Sequence, residues 1–252
     1  MESDSNTKSN KNESIKPTKI NKRLLKDVAN ILKNPLNNEG IYYKHDETNA
    51  YKGYAMIIGP SESLYRYGYY FFNFEFPQEY PFVPPKVYYL TNDGSTRFNP
   101  NLYRNGKVCI SILNTWKGEQ WTSCQSIRSV LLTLLSLFHN KPLLNEPGIT
   151  ESNSNFKKYN KIIQHQNIKV AILKVIKKEI LAPTTRFWNN IEKNILDNEK
   201  NITEYLNKLQ SENSDEEIYC SIYNMHINTH YSKLFDNWQV ELKNIKENSN
   251  LD

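Results

Sequence analysis

The residues best suited to chemistry lie in one stretch, Phe98-Asn99-Pro100-Asn101-Leu102-Tyr103-Arg104-Asn105-Gly106-Lys107-Val108-Cys109-Ile110. A carboxamide, Asn101, stands eight positions before a thiol, Cys109, and Asn105-Gly106 between them is a turn signal. An apolar run follows the thiol. A sulfur nucleophile held on a loop beside a neutral hydrogen-bond donor suits transfer of an acyl group carried on cysteine. A free cysteine titrates at about 8.5, so a minor fraction is thiolate at neutral pH. No basic residue is an immediate neighbour of Cys109, and an ordinary thiol is expected. Taken alone, such a cysteine is more often a buried structural one; the spaced carboxamide and turn are what point to catalysis.

The elements that must position this pair can be read on either side of it. Ile20, Leu24, Val28, Leu25, Ile31 and Leu32 recur at helical spacing, with Lys19, Lys22, Arg23 and Lys26 on the helix surface. Tyr51 to Ile58, Tyr69 to Phe76 and Lys86 to Leu90 read as strands. Pro77, Pro81, Pro84 and Pro85 impose a rigid loop between the last two. A long irregular region, Thr91 to Thr122, holds the asparagine and the cysteine. Ser126 to Phe138 is an apolar helix with leucines on most faces, expected to be central and buried. Phe156 to His165 and Ile168 to Leu181 are two further helices, and Ala182-Pro183-Thr184 marks a boundary. Beyond it, helical patches at Phe187 to Leu196 and Tyr231 to Ile245 flank a polar break at Ser211 to Glu217. Helices packed on an antiparallel sheet, an α+β layout, follow from this order.

Composition narrows the class. The chain has 252 residues and a net charge of +5, unevenly placed: 25 basic and 15 acidic residues up to Pro183, 7 and 12 after it. A cationic front and an acidic tail result. The front could meet nucleic acid, an anionic membrane or an acidic protein, and Lys- and Asn-rich usage alone gives the same balance. Met1 to Pro17 is polar, lacks the apolar segment of a signal peptide, and is expected to be disordered. Val130 to Phe138 is too short to span a bilayer. Cys109, Cys124 and Cys220, odd in number and widely separated, argue against a disulfide scaffold and for a reducing compartment. His226 and His230 with Cys220 fit no strong metal template. A soluble protein of the cytoplasm or nucleus, needing no metal or cofactor, is the expectation.

Tyr80-Pro81-Phe82-Val83-Pro84-Pro85-Lys86-Val87, followed by Asn99-Pro100-Asn101 and Gly106-Lys107-Val108-Cys109-Ile110, resembles the core of a ubiquitin-conjugating enzyme from roughly Ile20 to Leu181. The insert Asn114 to Trp121, the segment Asn145-Glu146-Pro147-Gly148, and Lys158-Tyr159-Asn160-Lys161 with His165 and Ile168-Lys169-Val170-Ala171 resemble the branch with C-terminal extensions. That branch includes the enzyme shared by ubiquitin and a tandem ubiquitin-like modifier. The hybrid conjugating/ligase giants share the two-tryptophan insert. Three departures stand out. Asn99 replaces the histidine of the usual His-Pro-Asn. Thr122-Ser123-Cys124 replaces a Ser-Pro-Ala segment. A paired glycine is reduced to Tyr67-Gly68.

The resemblance implies a four-stranded antiparallel meander with an N-terminal helix and C-terminal helices. Its expected division is a tail at 1–18, a catalytic domain at 19–183 and a mainly helical acidic extension at 184–252. It implies that Cys109 carries the modifier as a thioester, that Asn101 donates to the oxyanion or braces its loop, and that Glu146 orients and desolvates the incoming lysine. Phe82, Tyr80, Pro84, Thr122 and Ser123 would meet a ligase, and Lys19, Lys22, Arg23 and Lys26 the modifier-activating enzyme. Asn99 and Pro100 would shape the loop, and Trp116 and Trp121 would clamp the insert. Partners would be ubiquitin or a ubiquitin-like modifier, the activating enzyme, a ligase and a lysine-bearing protein, with neither membrane nor nucleic acid. Two other classes compete: a weakly catalytic or inactive adaptor of the same fold, which usually lacks the nucleophile, and a nucleic-acid module. Strand aromatics clustered as Tyr69-Tyr70-Phe71-Phe72 look like core, which counts against the second.

Overall fold

The computed structural model of the chain describes residues 21–249, so the tail expected at 1–18 and Lys19 lie outside the described residues. Helix α1 (Lys22–Lys33) starts where Asn21 caps it, its side chain accepting from the N–H groups of Arg23 and Leu24. Leu24, Val28 and Ile31 form its buried stripe. Strands β1 (Ile41–His45), β2 (Lys52–Ile58), β3 (Tyr69–Glu75) and β4 (Lys86–Tyr89) follow as an antiparallel meander in the order β1-β2-β3-β4. The register pairs Tyr43 with Ala55, Ala55 with Phe72, and Phe72 with Tyr89. The long irregular stretch comes next, then α2 (Ile127–Leu135) and α3 (Phe156–Gln166). The last of these runs directly into a π-helical segment, Asn167–Lys174.

The extension contributes α4 (Leu181–Glu212), a hairpin of β5 (Glu217–Cys220) and β6 (Met225–Asn228), and α5 (Tyr231–Ser249). The sheet lies between two apolar layers. Ala55, Ile57, Tyr70, Phe72 and Phe74 face the core shared with α1, α2 and α3. Met56, Tyr69 and Phe71 point the other way, into a second core with Phe187, Ile191 and Ile195 of α4 and Trp238 of α5. Successive side chains on a strand alternate faces. A run of four buried aromatics at Tyr69-Tyr70-Phe71-Phe72 therefore requires cover on both faces, and the extension supplies the second. Phe187 stacks on Phe71 with ring centroids 6.2 Å apart, and Tyr69 donates to Asn194 at 3.0 Å.

Four sequence expectations are corrected. The first strand, Ile41–His45, is absent from the local reading; its half-buried tyrosines give no clean alternation. The apolar helix is not buried all round, since Leu132 is exposed. Ala182-Pro183-Thr184 does not break the chain but opens α4, where a missing N–H costs nothing because first-turn N–H groups have no intrahelical acceptor. The break lies earlier, at Lys178, whose φ is 57°. The tail also contains a hairpin that the local reading passes over, although Ile218, Tyr219, Cys220, Met225 and Ile227 suit strands. Tyr67 stands where the glycine pair is lost and holds φ at 61°. Its ring packs edge-on against Tyr205 of α4, 6.0 Å away. A β-carbon at Gly68 would lie 2.1 Å from the Asn167 amide oxygen, so no larger residue fits there.

Truncating Phe187 to alanine should destabilise the protein by about 3–5 kcal/mol, because a ring wedged between α4 and the sheet leaves a cavity; urea unfolding measures it, and a loss below about 1 kcal/mol would mean the extension is only loosely seated. A pH effect is also expected. Burial first, then Lys169 and more weakly His230, push the His165 imidazole down to about 4, with Gln166 and Asp215 pulling the other way. Unfolded, it titrates near 6.5. Between these values the unfolded chain binds a proton that the folded one refuses, so stability is full above about 6.5 and declines as pH falls toward 4, by on the order of 3 kcal/mol. His45, also lowered by burial, acts in the same direction. The thermal midpoint should drop from pH 7.5 to pH 4.5, and His165→Gln should remove part of that drop; an identical drop in the variant refutes the assignment.

Candidate active site

Cys109 sits in a stretch with almost no regular structure, so neighbours must hold it. Its backbone N–H donates to the Asn101 carbonyl at 2.8 Å, and the Asn101 Nδ2 donates to the Cys109 carbonyl at 2.6 Å. The turn between them is closed by Gly106 N–H on the Tyr103 carbonyl, with Gly106 at φ 86°. Thr115 brackets the thiol from the far side: its hydroxyl accepts from Ile110 N–H at 3.0 Å and lies 2.9 Å from the Val108 carbonyl. The backbone N–H groups of Cys109 and Ile110 are thus both engaged. The second amide proton of Asn101 remains as a donor beside the sulfur-bearing residue, while its Oδ1 is buried without a partner.

Asn99 does more than shape a loop. It is fully buried, donates to the Leu137 carbonyl at 2.9 Å, and accepts from Asn101 N–H at 2.9 Å and from Asn145 at 3.5 Å. The last contact brings the Glu146 segment to the loop. Arg97, which sequence reasoning passes over, reaches the carbonyls of Asn99 at 3.2 Å and Pro100 at 2.6 Å. Its guanidinium lies 3.3 Å from the Tyr103 ring centroid and 4.9 Å from that of Tyr223. Tyr223 belongs to the hairpin turn of the extension. Its hydroxyl donates to a Glu146 carboxylate oxygen, and Arg104 donates to its carbonyl. Burial, followed by the bond to Glu146, holds the Tyr223 phenol well above its ordinary range, so it stays a donor. No signal in the sequence couples Tyr223 to Arg97 or Glu146, since the turn lacks glycine or proline.

Two placements differ from expectation. Cys109 lies on a loop but is itself only 2% exposed. Tyr80 is 1% exposed, with its hydroxyl on Asp27, so it supports the proline loop from below and offers no surface. The rest of that face is open: Phe82 is 82% exposed and Val83, Thr122 and Ser123 are exposed beside it, with Pro84 half-buried. Trp121 is buried and its Nε1 donates to the Pro81 carbonyl at 2.6 Å, joining the two loops; Trp116 is half-buried, and Gln120 closes on its carbonyl. Lys22 and Lys26 are exposed on α1. Arg23 is not free, because it binds the carbonyls of Ser123 and Gln125 at 2.8 Å each and pairs with Asp27. Cys220 donates to the Ile222 carbonyl, His226 pairs with Glu217 and His230 with Asp215, so these three do not converge. Among the described residues no three His, Cys, Asp or Glu side chains form a metal-binding group. No helix among them is long and apolar enough to cross a membrane.

Arg97→Met should cost about 2–4 kcal/mol in urea unfolding, since two buried carbonyls lose a charged donor. Tyr223→Phe should cost about 1 kcal/mol, because it keeps the ring on Arg97 and loses one hydroxyl bond. Equal losses would mean that the hydroxyl, not the ring, carries the contact.

The family model described as ubiquitin-conjugating enzyme matches residues 23–170, which include every element from α1 through α3 and both Asn101 and Cys109. The protein named ubiquitin-conjugating enzyme E2 Z in Danio rerio is 38% identical over 178 residues, covering 69% of this chain and 53% of its own length. Its Homo sapiens counterpart is 40% identical over 164 residues, covering 64% and 46%. The Caenorhabditis elegans protein named probable ubiquitin-conjugating enzyme protein 17 is 38% identical over 187 residues, covering 69% and 25%. The chain spans about half the length of the vertebrate relatives it matches. With a four-stranded meander, flanking helices and a cysteine tied to an asparagine on the loop between them, the chain belongs to the ubiquitin-conjugating enzyme family.

Proposed function

We propose that this chain accepts ubiquitin or a ubiquitin-like modifier on Cys109 and passes it to a lysine. The observation that carries the reading is the reciprocal Asn101–Cys109 pair, 2.8 Å and 2.6 Å, in the family's fold. In the loading step Cys109 Sγ attacks the carbonyl carbon of the modifier's C-terminal thioester on the activating enzyme. A new C–S bond forms, the old one breaks, and the partner's sulfur leaves as thiolate and takes the proton. Thioester exchanges for thioester, so nothing but the partner's activated acyl group is required. In the transfer step the lysine Nζ attacks, the tetrahedral oxyanion accepts from the free N–H of Asn101, and the C–S bond breaks with its electron pair on Cys109 Sγ, which takes up the amine proton as the isopeptide forms. Glu146, already paired to a hydroxyl donor, is the acidic group assigned to orienting that lysine.

The partner surfaces follow the same logic. Phe82 and Val83, exposed and apolar between prolines, with Pro84, Thr122 and Ser123, are the surface assigned to a ligase. Lys22 and Lys26, with Lys19 beyond the described residues, are assigned to the activating enzyme. Three free cysteines suit a reducing compartment, the cytoplasm or nucleus. The part up to the break at Lys178 serves as the catalytic unit and the part from α4 onward as its accessory. The 2% exposure of Cys109 is the one observation that favours the alternative, an adaptor of the same fold that does not load.

Incubation with activating enzyme, ATP and a panel of modifiers decides between them. A thiol-sensitive adduct should form and vanish in Cys109→Ala, while Cys109→Ser should give a thiol-resistant ester or none. If no modifier yields a reducible adduct, the adaptor reading replaces this one. Asn101→Ala should leave loading within a few fold and slow discharge onto free lysine by about 10²–10³-fold. Equal loss in both steps would make Asn101 purely structural.

A further inference from the structure

A cavity of about 240 Å³ lies where the core meets the extension, and the thioester chemistry does not use it. The π-helical segment and the turn after it line one wall, with Lys169, Lys174 and Lys177; the start of α5 lines the other, with His230 and Lys233. Two of these side chains are already engaged. Lys177 binds Asn237 at 2.9 Å and lies 3.9 Å from Glu241, and His230 binds Asp215 at 2.8 Å. Lys169, Lys174 and Lys233 have no ion-pair partner among the described residues, and Glu179 is the single carboxylate in the lining. Three ammonium groups gathered by folding around one hollow are an unfavourable arrangement unless something negative joins them.

A second, independent feature points the same way. His165 lines this cavity and is 3% exposed. Its Nε2 accepts the backbone N–H of His230 at 3.2 Å, so the neutral ring must carry its proton on Nδ1. That Nδ1 is buried with no partner in hydrogen-bond geometry; the neighbouring Gln166 amide oxygen, also buried and without one, lies near enough only to favour the ring's proton. A buried N–H donor without an acceptor is rare in folded proteins. The N-terminal end of α5, a 19-residue helix, adds its positive dipole end at the same place.

We propose that this cavity binds a phosphate-type oxyanion, free or as the end group of a small soluble polyphosphate, held by Lys169, Lys174 and Lys233 and by the His165 ring N–H. Its volume is below the ~300–1,000 Å³ of ordinary small-molecule pockets, which suits a compact anion. Because one wall is core and the other extension, an occupant fastens the two together and stabilises the folded chain by mass action.

Calorimetric titration of the full chain with inorganic phosphate, pyrophosphate and tripolyphosphate, at ionic strength balanced by chloride, tests this. Saturable binding of one equivalent is expected, with a rise in thermal midpoint that chloride does not give. Lys169→Gln and Lys233→Gln, both at exposed positions, should each weaken binding about tenfold and shrink the thermal shift. Lys200→Gln, on exposed α4 and paired with Glu204, should change neither. Tighter binding of the longer anions assigns the site to a polyphosphate end group, and equal affinities assign it to a single phosphoryl group. Absence of saturable binding, or equal weakening by Lys200→Gln, overturns the proposal.

Discussion

The guanidinium of Arg97 is the contact on which the active loop depends. The segment from Phe98 to Cys109 has no helix or strand of its own, so it is held by turn bonds within itself and by side chains. Arg97 bonds two of its carbonyls, and the Asn99 side chain links Leu137 on one side to Asn101 and Asn145 on the other. Burying a full positive charge is costly unless it is well bonded. Here the charge is bonded by carbonyls and packed against the rings of Tyr103 and Tyr223. One of those rings comes from the extension, so the loop that bears Cys109 is completed by a residue outside the family match.

The same dependence governs the sheet. Met56, Tyr69 and Phe71 would form an exposed apolar patch if the meander ended the fold, and patches of that kind mark interaction sites or liabilities. Here α4 and α5 cover them, with Trp238 fully buried and its Nε1 on Thr203. That face of the sheet is therefore occupied from within the chain. Polar contacts join the two halves as well: Lys44 reaches the Arg186 carbonyl, Lys161 pairs with Glu216 and Arg186 with Asp46, each exposed pair adding little.

What was legible in the sequence was local. Asn101, the Asn105-Gly106 turn and Cys109 fall within one short run, and their order alone indicated a loop-borne thiol. The tyrosine and phenylalanine run at 69–72 indicated core, though only the structure shows that two cores share it. What was not legible depends on distant partners or on backbone conformations that side-chain types do not announce. Tyr223 and Asn224 turn the hairpin with φ of 65° and 47°, a region a tyrosine seldom occupies. Nothing around them reads as a turn, so the strands on either side merged with the polar tail. Thr115 looks like an insert residue until its hydroxyl is seen to bracket Cys109. Arg97 looks like a solvated charge until its two tyrosines are seen.

These facts fit together around the closed thiol. A cysteine at 2% exposure is shielded from casual acylation and oxidation, because both need access to the thiolate. Shielding and reactivity are compatible if the loop is rigid and its surroundings can part. The loop is the rigid member, tied by backbone and carboxamide bonds on both sides of Cys109. The hairpin is joined to it from the extension. Its turn meets the loop through the Tyr223 hydroxyl on Glu146, the Arg104 contact, a ring on a cation and the Arg97 N–H on the Met225 sulfur, while its strands seat Ile218, Cys220 and Met225 in the main core. A change at the Tyr223–Glu146 contact leaves the Asn101–Cys109 bonds in place, whereas one at Arg97 reaches the loop carbonyls directly.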